Sequence, residues 1–367
     1  MEKLKTAKQP WVKNSLTDGI FILSPPFIAL LIVALFPAQF KNSALMPVQY
    51  WVILIVMIDV AHVYSTLYRT YFNAGEFKKQ PHVLIGVPLF CYAAGVILYL
   101  AGGIFFWRAL AYLAVYHFIR QQYGFLRIYS RNENQSVLLR YIDNTAIYIA
   151  TIYPLLYWHF SSYKKNFNWF VDGDFVLFHV DGLLAIARII YLLTITLFTI
   201  KELWLYIKTR QFNLPKNLIV LGTFLSWYFG IVYYNGDMAF TTLNVVSHGI
   251  PYMALVWFYE QKKFSNNKSP RTGFMKITFS KYGVLSFVGL LILFAYVEEG
   301  LWDGFIWKEH ASVFSIFSGL PSISNDTILA LTVPLLALPQ STHYVLDGFI
   351  WRMRKQKQVA AAADLAI

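Results

Sequence analysis

The chain has 367 residues, 57% of them hydrophobic, 18% aromatic and only 14% charged, with a mean hydropathy of +0.49. Soluble domains carry about 45–50% apolar and 25% charged residues, so this balance excludes an ordinary water-soluble enzyme and predicts an all-α, polytopic integral membrane bundle. The net charge of +12 is no nucleic-acid footprint, because Lys and Arg lie in short segments between apolar runs. The single cysteine, Cys91, excludes an internal disulfide and a multi-cysteine metal site.

In chain order, residues 1–19 are basic (Lys3, Lys5, Lys8, Lys13) and read as a cytoplasmic N-terminal segment. Ten apolar runs of about 20 residues follow, the length that crosses a hydrocarbon core. They fall at about 20–38, 47–67, 83–101, 103–123, 141–159, 180–200, 217–235, 240–260, 277–297 and 328–350. With ten spans, 25 of the 31 Lys and Arg lie on the side of the N-terminus, so the positive-inside rule places both termini in the cytoplasm. Residues 20–351 then form one transmembrane domain and 352–367 a cytoplasmic tail, in the cell membrane. The segment 298–327 is acidic; within it Asp303-Gly-Phe-Ile-Trp307 recurs as Asp347-Gly-Phe-Ile-Trp351, which reads as two interface anchors.

Four histidines interrupt the apolar runs, each with a polar residue three or four positions away: Asp59/His62, His117/Gln121, Asn244/His248 and His343/Asp347. That spacing places both members of each pair on one helix face. Ionisable groups at such depth are costly and face a bundle interior or a water-filled cavity. In the ten-span reading all four helices run in one direction. His62, His117 and His343 share a depth of about 10 Å from the cytoplasmic end at 1.5 Å per residue, and His248 lies apart, nearer mid-membrane. Neutral imidazole is a common metal ligand whose second nitrogen is held by a carboxylate or amide. His62, His117 and His343 are the expected metal ligands and His248 a fourth ligand or acid/base. Asp59 and Asp347 are carboxylate ligands or orienters, Gln121 and Asn244 their supports. Arg69 and Arg120 follow at the inner helix ends, where each binds an anionic head group or reaches lipid phosphates. His82, His159 and His310 read as solvated, and His179, with Asp181, as a partner of Arg188.

The chain has no His-Glu-x-x-His, Gly-x-Ser-x-Gly or Asp-rich prenyltransferase motif, and no tightly spaced desaturase-type histidine boxes. One histidine per helix, at His62, His117, His248 and His343, with Ser247-His248-Gly249, resembles the Brp/Blh type of bacterial membrane carotene dioxygenase. The resemblance implies a non-haem iron on intramembrane histidines and an apolar polyene substrate. The chain departs from that family in having no two histidines four residues apart.

These readings converge on a metal-dependent membrane oxygenase or oxidoreductase acting on a lipophilic isoprenoid or acyl-lipid substrate. Fe(II) suits the mixed His/carboxylate set, with Zn as the alternative. The expected partners are membrane lipids and a lipophilic small molecule, without nucleic acid. Three rivals stand beside it: a transporter with a His/Asp proton or cation relay, a bis-His haem protein, and an O-acyltransferase using Asn244 and His248.

Overall fold

The structure is a computed structural model that describes residues 9–41, 46–161, 169–178, 180–265, 273–280 and 282–351. The first eight residues, the 352–367 tail and His179 lie outside the described residues. All regular structure among the described residues is helical, and the ten predicted apolar runs fall largely on helix, interrupted at Ser24, Phe36 and Ala337 and by a turn at Phe279 and Ser280.

Four of these helices are long and apolar enough to cross a membrane: Val48–Arg69, Pro81–Ala101, Gly182–Thr209 and Gly283–Trp307. Two bent pairs raise the number to six if each is one span: Ser15–Leu23 with Pro25–Leu35, bent by 50°, and Asp326–Leu336 with Leu338–Ile350, bent by 45°. The bends follow from proline chemistry. Pro25 and Pro26 open one second segment and Pro339 the other, and a residue without an N–H cannot bond back to the preceding turn. Several other predicted runs hold buried polar residues, among them His117, Gln121, Asp143, Asn244 and His248, which lower their apolarity.

By contacts the chain falls into two compact units, residues 1–62 with 107–259 and residues 63–106 with 260–367. The sequence reads as one domain because the boundaries fall inside continuous helices, where no linker composition marks them.

In the first unit the chain enters through a short helix, Ser15–Asp18, whose N-terminus is capped by Asn14 accepting from Thr17 N–H at 2.9 Å. Asp18 is fully buried. Its carboxylate accepts from the N–H groups of Val12 (2.5 Å) and Lys13 (3.0 Å) and from the Tyr129 hydroxyl (3.0 Å), tying the entry segment to the end of the Gly103–Tyr129 helix. Gly222 lets the Leu214–Trp227 helix approach Pro26, since a Cβ there would lie 2.7 Å from Pro26 Cγ.

The same unit holds a buried ion network that the sequence reading does not anticipate. Lys201 and Lys216, counted there among loop charges that set topology, are 4% and 1% exposed. Lys201 lies within the Asp181–Thr209 helix, which runs past the predicted end at 200, and Lys216 lies in the first turn of Leu214–Trp227. Lys201 pairs with Asp143 and Glu202; Lys216 pairs with Glu202 at 2.6 Å, Glu133 at 2.9 Å and Asp143 at 3.8 Å. Asn217 donates to the second oxygen of Glu202 at 2.7 Å. Two cations against three carboxylates is the arrangement burial demands, because an unpaired charge in a low dielectric is far costlier than a paired one.

In the second unit Gly95 allows Pro81–Ala101 to meet Asp326–Leu336, a Cβ there lying 2.8 Å from Pro334 Cβ. Glu298 is buried and accepts from the Tyr64 hydroxyl (2.7 Å) and Gln340 (3.2 Å). Asp303, expected as an interface anchor, instead accepts from the N–H groups of Glu309 and His310, both at 2.7 Å, and shapes the turn after its helix.

Glu76 ties the short Ala74–Lys79 helix to Lys263, and also pairs with Lys79 at 3.0 Å. Burial pushes its carboxyl up, but the two ammonium groups outweigh burial and hold it below the ordinary glutamate value. The folded pKa being depressed, this contribution is complete above the unfolded value and is lost as pH falls through the folded one. Detergent melting curves of wild type and Glu76→Gln are expected to differ at neutral pH and to converge under acid conditions.

Candidate metal centre

Three of the four predicted histidines come together in the first unit, each from a different helix. His62 lies on the Val48–Arg69 helix, His117 on Gly103–Tyr129 and His248 on Val246–Ser265. All three are buried, at 1%, 2% and 0% exposure. His62 is the hub. Its Nε2 lies 3.0 Å from Nε2 of His248, and it and His117 offer ligand nitrogens within 4.8 Å of one another. The ring centroids of His248 are 4.6 Å from His62 and 4.9 Å from His117.

Sequence reasoning sets His248 apart in depth, yet the structure places it against His62. Local backbone explains the reach. Val52–Val60 and Thr241–Val245 are π-helical, each a wider turn that leads into the helix bearing a site histidine. Such turns are rare and cluster at functional sites because they re-aim the residues that follow. Gly249, directly after His248, closes the gap between these segments: a Cβ there would lie 2.8 Å from Ile58 Cγ2 and 3.0 Å from the Ile58 carbonyl oxygen. The carbonyl belongs to backbone and cannot step aside. Gly249→Ala is therefore expected to cost about 1–3 kcal/mol, as overpacking of a tight contact does, read as a lower melting temperature in detergent.

The supporting residues divide. Asp59 Oδ1 is 3.7 Å from His62 Nδ1, within ion-pair reach but beyond a hydrogen bond. Gln121 is buried and donates to the His248 backbone carbonyl at 2.9 Å, so it holds the helix bearing His248. Asn244, buried one turn before His248, donates to the Phe240 carbonyl at 3.2 Å, and Gly230 leaves room for it, since a Cβ would lie 2.6 Å from its Nδ2. The side-chain oxygens of Gln121 and Asn244 are buried without a hydrogen-bond donor among the described residues. Buried amide oxygens nearly always have a partner, so these two are exceptions on the helices that bear His117 and His248.

Two aromatic neighbours escape the sequence reading. Phe118 stacks flat on His248, centroids 3.6 Å apart and planes within 6°, which fixes the imidazole plane. Tyr252, buried at 1%, lies with its ring 5.8 Å from that of His62 and 6.3 Å from that of His117. The signal for Tyr252 was present: Asn244, His248 and Tyr252 recur every four residues on one face. Phe118 in turn belongs to a buried apolar cluster with Ala111, Val115, Ile231, Phe240 and Val245.

The second unit contains His343, 1% exposed. Its Nδ1 lies 2.6 Å from the Thr66 hydroxyl and 4.0 Å from Asp347 Oδ1, so Thr66 is its close partner and the expected carboxylate the more distant one. Arg69, expected at a head group, is buried at 4%; its guanidinium bonds Glu260 at 2.8 Å and lies over Trp351 at 4.7 Å. Arg120, in the first unit, is exposed, donates to the Tyr148 hydroxyl and covers the Tyr123 ring at 4.8 Å. His159 is held by Tyr112 at 2.8 Å and the Leu155 carbonyl at 2.7 Å, more engaged than the solvated role expected of it.

Comparison with protein-family models, curated proteins and solved structures gives no match.

Proposed function

We propose that the protein is a membrane-embedded, metal-dependent oxidoreductase whose metal is held by the histidine cluster. One observation carries this reading: three buried imidazoles from three helices meet around His62, with the His62 and His248 Nε2 atoms 3.0 Å apart. Two nitrogens bound at about 2.0–2.1 Å to one ion stand roughly 3 Å apart, so this spacing suits shared ligation. His343 enters the proposal as a further ligand on the strength of the sequence, and has its own test in the metal content of His343→Ala.

A bound Fe(II) would supply activation of oxygen, and a bound Zn(II) Lewis acidity; the mixed His, amide and carboxylate surroundings favour iron. The protein's own residues do the rest. Asp59, 3.7 Å from His62, supplies a negative charge beside it, Phe118 fixes the plane of His248, and the apolar surroundings would keep water from a reactive intermediate. Tyr252, whose ring lies 5.8 Å from that of His62, is the candidate for proton delivery. A lipophilic substrate, isoprenoid or acyl, fits a dry site in a protein of this composition. The proposal includes ten spans, cytoplasmic termini and residence in the cell membrane, which accessibility labelling of single cysteines placed in each loop would test.

Elemental analysis and absorption spectroscopy of the protein purified in detergent test the reading. Near-stoichiometric iron without a Soret band, and oxygen uptake on adding a polyene, are expected; absence of stoichiometric metal sinks it. The short His62–His248 contact also favours one rival, a proton relay in a transporter, since one neutral imidazole donates to the other at that distance. A metal-free protein that couples uptake in proteoliposomes to a proton gradient would establish the rival instead.

A further inference from the structure

The first unit carries a second feature, on a different face of the Leu214–Trp227 helix from the residues that pack toward Gln122. A groove of about 1160 Å³ runs between this helix with its continuation and the Asp181–Thr209 helix. Its volume exceeds the ~300–1,000 Å³ of typical small-molecule sites. One wall is a single helix stripe, Arg188, Tyr191, Ile195, Phe198, Glu202 and Tyr206, spaced at threes and fours. From Arg188 to Glu202 the stripe covers about 21 Å at 1.5 Å per residue, the scale of a lipid chain.

The two ends differ in chemistry. At one, Glu202 is saturated: Lys201 and Lys216 engage one carboxylate oxygen and Asn217 the other. At the other stands a cation with hydroxyl donors. Arg188 is joined there by the phenols of Tyr153, Tyr191 and Tyr228, with Tyr191 4.5 Å from the Tyr153 ring and stacked on Tyr228 at 6.0 Å. Tyr153 and Tyr191 are each only 4% exposed. Among the residues whose side chains are described, which leave out His179 and Asp181, none makes an ion pair or hydrogen bond to Arg188 or these three hydroxyls. A guanidinium and three phenols at one end of a groove complement an anion rich in oxygen acceptors. Between the ends the lining is apolar except for Thr199, whose hydroxyl donates to the Ile195 carbonyl, and Leu192, Leu203 and Leu221 are exposed where lipid chains would lie.

We propose that this groove is a binding site for an anionic, phosphate-headed lipid, with the head group at Arg188 and the tyrosine hydroxyls and the chain along Ile195 and Phe198 toward Glu202. The site is independent of the histidine cluster and does not rest on the metal reading.

Native mass spectrometry of the full chain in detergent, titrated with phosphatidylglycerol or with phosphatidylcholine of the same chains, tests it. Wild type is expected to retain phosphatidylglycerol at least about tenfold better than phosphatidylcholine. Arg188→Gln should remove that preference, a loss of one charge-assisted contact, with the melting temperature of the lipid-free protein unchanged. Leu221→Trp, which fills the groove without touching the donor end, should weaken both lipids together. Equal retention of the two lipids by wild type, or an undiminished preference in Arg188→Gln, overturns the proposal. Displacement of phosphatidylglycerol by millimolar inorganic phosphate would assign the donors to a free anion and overturn the lipid assignment; resistance to it supports the lipid.

Discussion

His62→Ala is expected to lower metal affinity by more than about 100-fold, beyond the ~10–100-fold that loss of an outer partner typically costs, and to abolish any metal-dependent turnover. The expectation follows from the position of His62 as the hub, adjacent to His248 at 3.0 Å and within 4.8 Å of a ligand nitrogen of His117. His248→Ala leaves the other pair in place and should reduce affinity less. Asp59→Asn keeps the imidazoles and removes only a carboxylate 3.7 Å away, so it belongs in the 10–100-fold range. Metal per protein after dialysis against a graded chelator series reads all three. A His62→Ala protein that melts like wild type and retains its full metal would show that the cluster is a packing device.

The largest stability effect is expected at Lys216. Its ammonium is 1% exposed and faces Glu202, Glu133 and Asp143. Lys216→Met leaves three carboxylates with Lys201 as the one cation among the residues of this network, and breaking a buried pair by deleting one partner typically costs about 3–5 kcal/mol. The double variant Lys216→Met with Glu202→Gln restores near balance and should recover part of the loss, because the penalty lies in the orphaned charge. Melting temperatures in one detergent report both. If Lys216→Met melts within a degree of wild type, the network contributes nothing measurable and the argument from burial fails.

The helices were legible because long apolar runs admit few alternatives, and the histidines because an imidazole inside such a run has few inexpensive resting places. The ion network was not. A lysine at the edge of an apolar run looks the same whether it reaches lipid phosphate or a carboxylate 58 positions away, as Lys201 and Asp143 are. Asp143 itself lay inside a predicted span and was the one available clue. Phe118 and Tyr252 were hidden by abundance, among 31 Phe and 25 Tyr, since nothing local distinguishes a ring that fixes an imidazole from one that fills space. The approach of His248 was concealed for a different reason. Depth counted at a uniform rise per residue takes no account of π-helical turns, and one precedes each of the two meeting histidines.

The buried carboxylate of Asp18 carries an implication for the order of assembly. Two of its donors, the N–H groups of Val12 and Lys13, belong to the same turn and are present as soon as that turn is made. The third, the Tyr129 hydroxyl, is 111 residues further on. At synthesis rates of about 5–20 residues per second, the acid waits roughly 6–22 s for its last partner. The entry segment is thus closed locally at once and locked late, by the arrival of the helix that also brings His117.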